Sequence, residues 1–367
     1  MANAMAPHAR VRDEIVRLAH RGLSVPDFAR AAGDALCRAV PAEGTCLMTT
    51  DPAPLLPTAE FVENGLPAAE LLRLVDIEIR EPDFNTWARL ARAGRPAGSL
   101  SEATGGDLDR SPRRREIRRP GGFADELRVV LAGGTGTWGQ LTVFRETERP
   151  YFSPAEVEFA ASVAPLITDG LRRGLLLDGA RAEDGDIGLL VLDADDGVRM
   201  SNKAADRLLD ELGTGDRPGT RLPLVISAVA RRTRSLSATS TTPAPAAARP
   251  ARARARTRAG QWLLVRGSLL DDTQPQVAVT LEVARPAEMA PLMVDAYGFT
   301  GSERRVTELV ARGLSTRQIA DRLHVSSYTV QDHLKSIFAK SGTGSRGDLI
   351  AHLFLAHHAP SLTEHDT

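Results

Sequence analysis

The 367-residue chain has only two cysteines, Cys37 and Cys46, too few for a disulfide framework or a cysteine-rich zinc site. Lysine stands only at positions 203, 335 and 340, whereas arginine is abundant. No apolar run approaches the ~20 residues that cross a bilayer. The opening "MANAMAPHAR" lacks the apolar core of a secretory signal. A cytoplasmic protein without a membrane partner is expected. There is no Gly-Lys pair to end a phosphate loop, and His333 has no second ligand at metal-binding spacing. No catalytic residue, metal site or cofactor is therefore assigned. What is present is 42% hydrophobic residues at a net charge of −1, enough for two or three domains with their own cores.

The first region alternates helical and strand patterns. "SVPDFARAAGDALCRAV" has helical periodicity behind a capping Ser24, "GTCLMTT" reads as a strand, and "LPAAELLRLVDIEIR" as an amphipathic helix. "FADELRVVLAG" and "TWGQLTVFRE" read as paired strands. Ser153 and Glu156 form a capping box, with Pro154 at the first helical position of a long helix. That helix carries an apolar stripe of Val157, Ala160, Ala161, Ala164 and Ile167. In this order of elements, residues 10–178 resemble a GAF sensory domain of α+β class. "GTGTWG", Gly134 to Gly139, has the glycine spacing of a dinucleotide fingerprint, but "QLTVF" after it alternates like a strand. The fingerprint needs a helix there, so a hairpin turn is expected.

The second region opens with an apolar strand, an Asp-Asp-Gly turn, a short strand and a helix capped by Asn202. "QWLLVRGSLL" and "QVAVTLEVARP" read as a closing hairpin. Residues 184–286 in this order resemble an α+β PAS domain. Between them, residues 233–260 are rich in Pro, Ala, Ser and Arg, and are expected to form a disordered loop. Its Arg249, Arg252, Arg254, Arg256 and Arg258 could track phosphates or merely be solvated.

From Thr300 onward the pattern is all helical. "SERRVTELVARG" stops at Gly313, "STRQIADRLH" starts on Ser315, and only "VSS" precedes "YTVQDHLKSIFAK". Such a short connection suits a helix-turn-helix. A fourth helix, "SRGDLIAHLFLAHH", follows Gly342 and Gly344. At about 100° per residue, Val330, Leu334, Ile337 and Phe338 share one sector of the third helix. Tyr328, Asp332 and Lys335 lie opposite, with Gln331 and Ser336 on the flanks. A helix with such a face fits the DNA major groove. There Gln pairs with adenine, Lys with guanine, and Asp accepts from cytosine. Residues 300–358 carry eight Arg or Lys against five Asp or Glu, a modest positive excess.

The stretch closely resembles the LuxR-type helix-turn-helix domain of bacterial transcription regulators. Thr300, Glu303, Gly313, Leu314, Ser315, Ile319, Ala320, Leu323, Ser326, Thr329, Val330, His333, Ile337, Lys340, Ser345 and Arg346 fall where that pattern expects them. Gly301 and Gly347 depart from it at two helix starts, away from the reading face. The resemblance implies an all-α, four-helix domain over residues 296–358, with Gln331, Asp332 and Lys335 reading bases. Contacts to the DNA backbone are expected from Thr316, Arg317, Ser326, Ser327, Tyr328, Thr329, Lys340, Ser345 and Arg346.

The implied protein is multidomain, a sequence-specific DNA-binding transcription regulator with sensory modules upstream. Expected partners are double-stranded DNA, an unknown small-molecule ligand in the GAF-like or PAS-like domain, a second copy of the chain, and RNA polymerase. The apolar stripe of the Pro154 helix and Leu349, Leu353 and Phe354 of the fourth helix are the expected dimer faces. Residues 1–178 are expected to restrain DNA binding until a ligand or partner binds. The competing class is a GAF/PAS signalling enzyme or an NAD-dependent oxidoreductase, which would need a dinucleotide site or metal cluster. A third reading is a scaffold whose helix-turn-helix binds protein.

Overall fold

The computed structural model describes residues 2–52, 55–63, 68–133, 136–177, 186–213, 222–238, 251–271 and 274–355. The chain begins with α1 (Ala2–Ala19) and α2 (Val25–Ala39), the latter capped by the Ser24 side chain as its sequence predicts. Strands β1 (Gly44–Thr50) and β2 (Pro57–Glu63) follow, then α3 (Ala68–Arg80), α4 (Trp87–Ala93), β3 (Ala97–Ser99) and α5 (Leu100–Thr104). A π-type turn at Arg114–Arg118 leads to β4 (Phe123–Gly133), β5 (Gly136–Glu146) and the long α6 (Pro154–Leu177). The five strands form one antiparallel sheet in the order β2-β1-β5-β4-β3.

One face of this sheet packs Leu47, Leu127, Val129, Leu141 and Val143 against Ile15, Phe28 and Leu36 of the first two helices. Val157, Ala160, Ala164 and Ile167 of α6 join the same core. The close approach of α2 and α6 needs Gly170, because a Cβ there would fall 2.0 Å from the Phe28 ring. The α6 stripe, expected to face a second copy of the chain, is thus core of its own. The glycine-rich stretch spans an antiparallel hairpin, with Gly133 opposite Gly136. Gly134 and Thr135 of that stretch lie outside the described residues.

The other face of the sheet is charged although buried. Glu126 of β4 receives Arg113 at 2.6 Å, Arg118 at 2.7 Å and Arg128 at 2.9 Å, and Arg113 and Arg128 also pair with Asp83 and Glu78. Mutual charge and hydrogen bonding replace the water these groups lose.

The second unit has β6 (Gly188–Leu192), β7 (Val198–Ser201), α7 (Lys203–Leu212), α8 (Leu224–Ala238), β8 (Arg252–Arg256), β9 (Trp262–Asp271) and β10 (Gln274–Val283). Its antiparallel sheet runs β7-β6-β10-β9-β8. Counted within each unit, both sheets have the order second-first-fifth-fourth-third. The expected disordered loop over 233–260 is corrected at both ends. Residues 233–238 complete α8, and "RARAR" is strand β8, paired residue by residue with β9. Arg-Ala alternation has the period of a strand, and Ala253 and Ala255 point into the core. Arg249 lies with residues 239–250 outside the described residues.

Buried ion pairs join the two units. Asp51 receives Arg254 through Nε at 2.8 Å, Nη2 at 2.7 Å and the backbone N–H at 2.8 Å. Arg231 bridges Asp76 of α3 to Asp196, which also accepts from Arg234 at 2.7 Å. Leu56 from the first unit packs into the second core.

Helix α9 (Pro286–Ala296) is the strut to the C-terminal helices, α10 (Gly301–Ala311), α11 (Thr316–Leu323), α12 (Ser327–Ser341) and α13 (Arg346–Ile350). Met289, Leu292 and Ala296 of α9 pack with Trp138 and Trp262 of the two sheets, while its Met293 enters the core of the C-terminal helices. A π-type turn, Ala351–Leu355, continues α13. Residues 356–358 of the expected fourth helix lie outside the described residues.

Candidate nucleic-acid interface

The C-terminal helices start where their caps dictate. Thr300 with Glu303 and Ser315 with Gln318 form complete capping boxes, each satisfying otherwise orphaned N–H groups. Ser326 caps α12 by accepting from the Thr329 N–H at 3.0 Å, and Ser345 caps α13. Between α11 and α12, His324 adopts the left-handed region at φ 55°, which lets the chain reverse within three residues. His324 carries no glycine-like signal, so this feature is not apparent from the sequence.

The third helix is amphipathic along the expected line. Val330, Leu334 and Ile337 are buried against Val306, Val310, Ile319 and Leu349, with Phe338 half-buried beside them. Gln331, Asp332 and Lys335 are exposed, and Tyr328 is 71% exposed. The α12 backbone packs on α10 and α11, and among the described residues nothing covers Gln331, Asp332 and Lys335.

The expected backbone-contacting residues divide into two groups. Arg317, Ser326, Ser327, Tyr328 and Ser345 are exposed around the starts of α11, α12 and α13. Helix N-termini carry unpaired N–H groups and the positive end of the dipole, which suits phosphate oxygens. The others are engaged within the fold. Arg346 donates to the Leu314 carbonyl at 2.9 Å and to Thr316 Oγ1 at 2.8 Å, tying the start of α13 to that of α11. Thr329 and Ser326 share a hydroxyl hydrogen bond of 2.9 Å. Lys340 is clamped on Glu303, with Nζ 2.6 Å and 2.9 Å from the two carboxylate oxygens. Ser336, expected on the flank of the reading face, also donates to Glu303 at 2.6 Å. Burial pushes the Glu303 pKa up, but these bonds and the Thr300 N–H hold it down at about 2.

Leu349 and Leu353 of the fourth helix, expected to face a partner copy, are buried in this core. The Phe354 side chain lies outside the described residues.

Residues 298–353 match the family described as bacterial regulatory proteins, luxR family. The C-terminal helices are a LuxR-family helix-turn-helix domain. A protein of Mycobacterium bovis named as an HTH-type transcriptional regulator is 51% identical over 51 residues, 14% of this chain and 6% of that protein. A second, from the exeN 3′ region of Aeromonas salmonicida, is 35% identical over 97 residues, 26% of this chain and 48% of that protein. The chain therefore spans less than half of either relative. The GAF domain of a Coxiella burnetii phosphoenolpyruvate-protein phosphotransferase aligns with 45% of this chain and 92% of its own. Its identity is 16% and its TM-score 0.32. The VqsR LBD domain of Pseudomonas aeruginosa aligns with 46% of this chain and 95% of its own, at 11% identity and a TM-score of 0.32. Among the described residues, no helix is long and apolar enough to cross a membrane, and no group of His, Cys, Asp and Glu could hold a metal ion.

Proposed function

We propose that the protein is a sequence-specific, double-stranded-DNA-binding transcription regulator. Its LuxR-family helix-turn-helix inserts α12 into the major groove. The observation that carries this reading is the exposed Asp332 and Lys335, opposite the buried Val330, Leu334 and Ile337, with Gln331 exposed on the flank. Gln331 pairs with adenine, Lys335 with guanine, and Asp332 accepts from a cytosine amino group. Phosphates are held by Arg317, Ser327, Tyr328 and the N–H groups at the starts of α11, α12 and α13. Lys340, Thr316 and Arg346 support these contacts by positioning the helices rather than by direct contact.

In this reading residues 10–178 are a GAF-like module and residues 184–286 a PAS-like one, with the reader at 296–358. The modules sense a small molecule or mediate dimerisation, and the protein works in the cytoplasm as a homodimer that engages RNA polymerase. No residue has a catalytic role. Because the reading face is open, control acts through the placement of the reader, not by masking it. Selection of binding sites from random duplexes tests the proposal: a short recurrent motif supports it, and binding without sequence preference overturns it.

A further inference from the structure

The outer face of the second sheet has two unlike halves. Over β8 and β9 it is covered. Leu264 packs with Met289 and Leu292 of α9, Arg254 is held by Asp51, and Arg266 pairs with Glu288 at 2.5 Å. Over β6, β7 and β10 no described element packs on it. Val191 stands between its cross-strand partners Met200 and Ala278, and Leu189 lies beside Thr280. Met200 is 69% exposed, Leu189 44%, and Ile187, just before β6, 55%. Half-exposed antiparallel sheets normally present polar side chains outward. Five of the nine exposed large apolar side chains among the described residues belong to this unit, so the exposure is concentrated, not scattered. Strand β7 also forms the sheet edge, and all four of its residues are exposed.

The geometry points to a homodimer in which Leu189, Val191, Met200 and Ala278 of one copy pack against the same four residues of a second copy. This rests on the regulator reading above only in that paired half-sites require a dimer. A two-fold interface needs a patch that is complementary to itself. The centre of this patch is uncharged, so self-contact brings no like charges together. Its rims carry both signs. Arg266 and Glu282 border one side, and the edge strand on the other carries Arg199, paired with Asp193 at 2.9 Å. A nucleic acid would call for a basic surface and a charged peptide for a rim of one sign. The β8 edge is already occupied by the first unit through Asp51, so the free β7 side is the one left for association. Of the faces that the sequence offered for a dimer, the stripe on α6 and Leu349 and Leu353 of the fourth helix are spent inside the chain.

The test is sedimentation velocity on the full chain over a nanomolar-to-micromolar series, with Met200→Glu and Leu189→Glu as variants. Both side chains are exposed in the single chain, so thermal midpoints should match the wild type, which separates lost pairing from lost folding. The wild type should dimerise, and each variant should raise the dimer dissociation constant about tenfold or more, since each buries an unpaired carboxylate twice per dimer. Val16→Glu, an exposed apolar position on α1, should leave the constant unchanged. A wild type that stays monomeric, or variants that dimerise as well as it does, would overturn the proposal. Binding to a single half-site, measured on the same samples, is decided separately. If no duplex is bound with sequence preference the regulator reading fails, whatever the sedimentation shows.

Discussion

Lys340, near the end of α12, reaches Glu303 in the first turn of α10, with its Nζ 2.6 Å from Oε2. The same carboxylate accepts from the Thr300 N–H and from Ser336, so one acid caps one helix and braces another. The reading helix is thereby fixed in direction as well as in depth.

Glu303→Gln should destabilise the C-terminal domain by about 1–2 kcal/mol, a range discounted for the partial exposure of Lys340. The folded carboxyl titrates at about 2, below its ordinary 4.5. Its contribution is therefore complete above about pH 5 and is lost as the pH falls towards about 2. Melting of the wild type across that window should show the loss, and Glu303→Gln should flatten it. An equal slope in both proteins would remove Glu303 as the cause.

Lys335→Ala should weaken specific DNA binding by about 1–3 kcal/mol and relax preference at one base position. Lys340→Ala should act differently, lowering the melting point while leaving the selected motif intact. Site selection with both variants distinguishes a reader from a brace. An unchanged motif and affinity for Lys335→Ala would end its assignment.

Legibility in the sequence followed the range of the interaction. Helix caps are local, so Ser24, Asn202 and Ser315 announced their helices, and the rotation of α12 separated Val330 and Leu334 from Asp332 and Lys335. Partners distant in the chain were not legible. Nothing near Lys340 indicates that its ammonium is taken by a residue 37 positions earlier. Arg254 looked like part of a charge run because its partner, Asp51, is 203 residues away. The stripe on α6 was correctly apolar, but periodicity states only that a face is buried, not against what.

Glu126→Gln should cost the first unit about 3–5 kcal/mol, because it leaves Arg113, Arg118 and Arg128 buried without their shared counter-charge. The three arginines together hold the Glu126 pKa far down against the burial that raises it. Chemical denaturation should show the loss. A change within about 0.5 kcal/mol, the range of an ordinary surface substitution, would mean that the network is not a stabilising hub.

Arg172 of α6 donates through Nε at 3.2 Å and Nη2 at 2.9 Å to the carbonyl of Ala296, the last residue of α9. Three residues earlier, Met293 sits in the core of the reader, so this bond joins the long helix to the reader's own packing. On the proposed function, the arginine sets how two readers are spaced, not how well each one binds. Arg172→Met keeps much of the apolar stem and removes the bond. It should leave affinity for a single half-site unchanged within about 0.5 kcal/mol, the scatter of independent sites. On paired half-sites it should flatten the dependence on spacing, since a loosened reader reaches several separations. Binding measured over duplexes that differ only in spacer length decides the matter. A variant with the wild-type spacing optimum would show that α6 and α9 do not set the geometry of the readers.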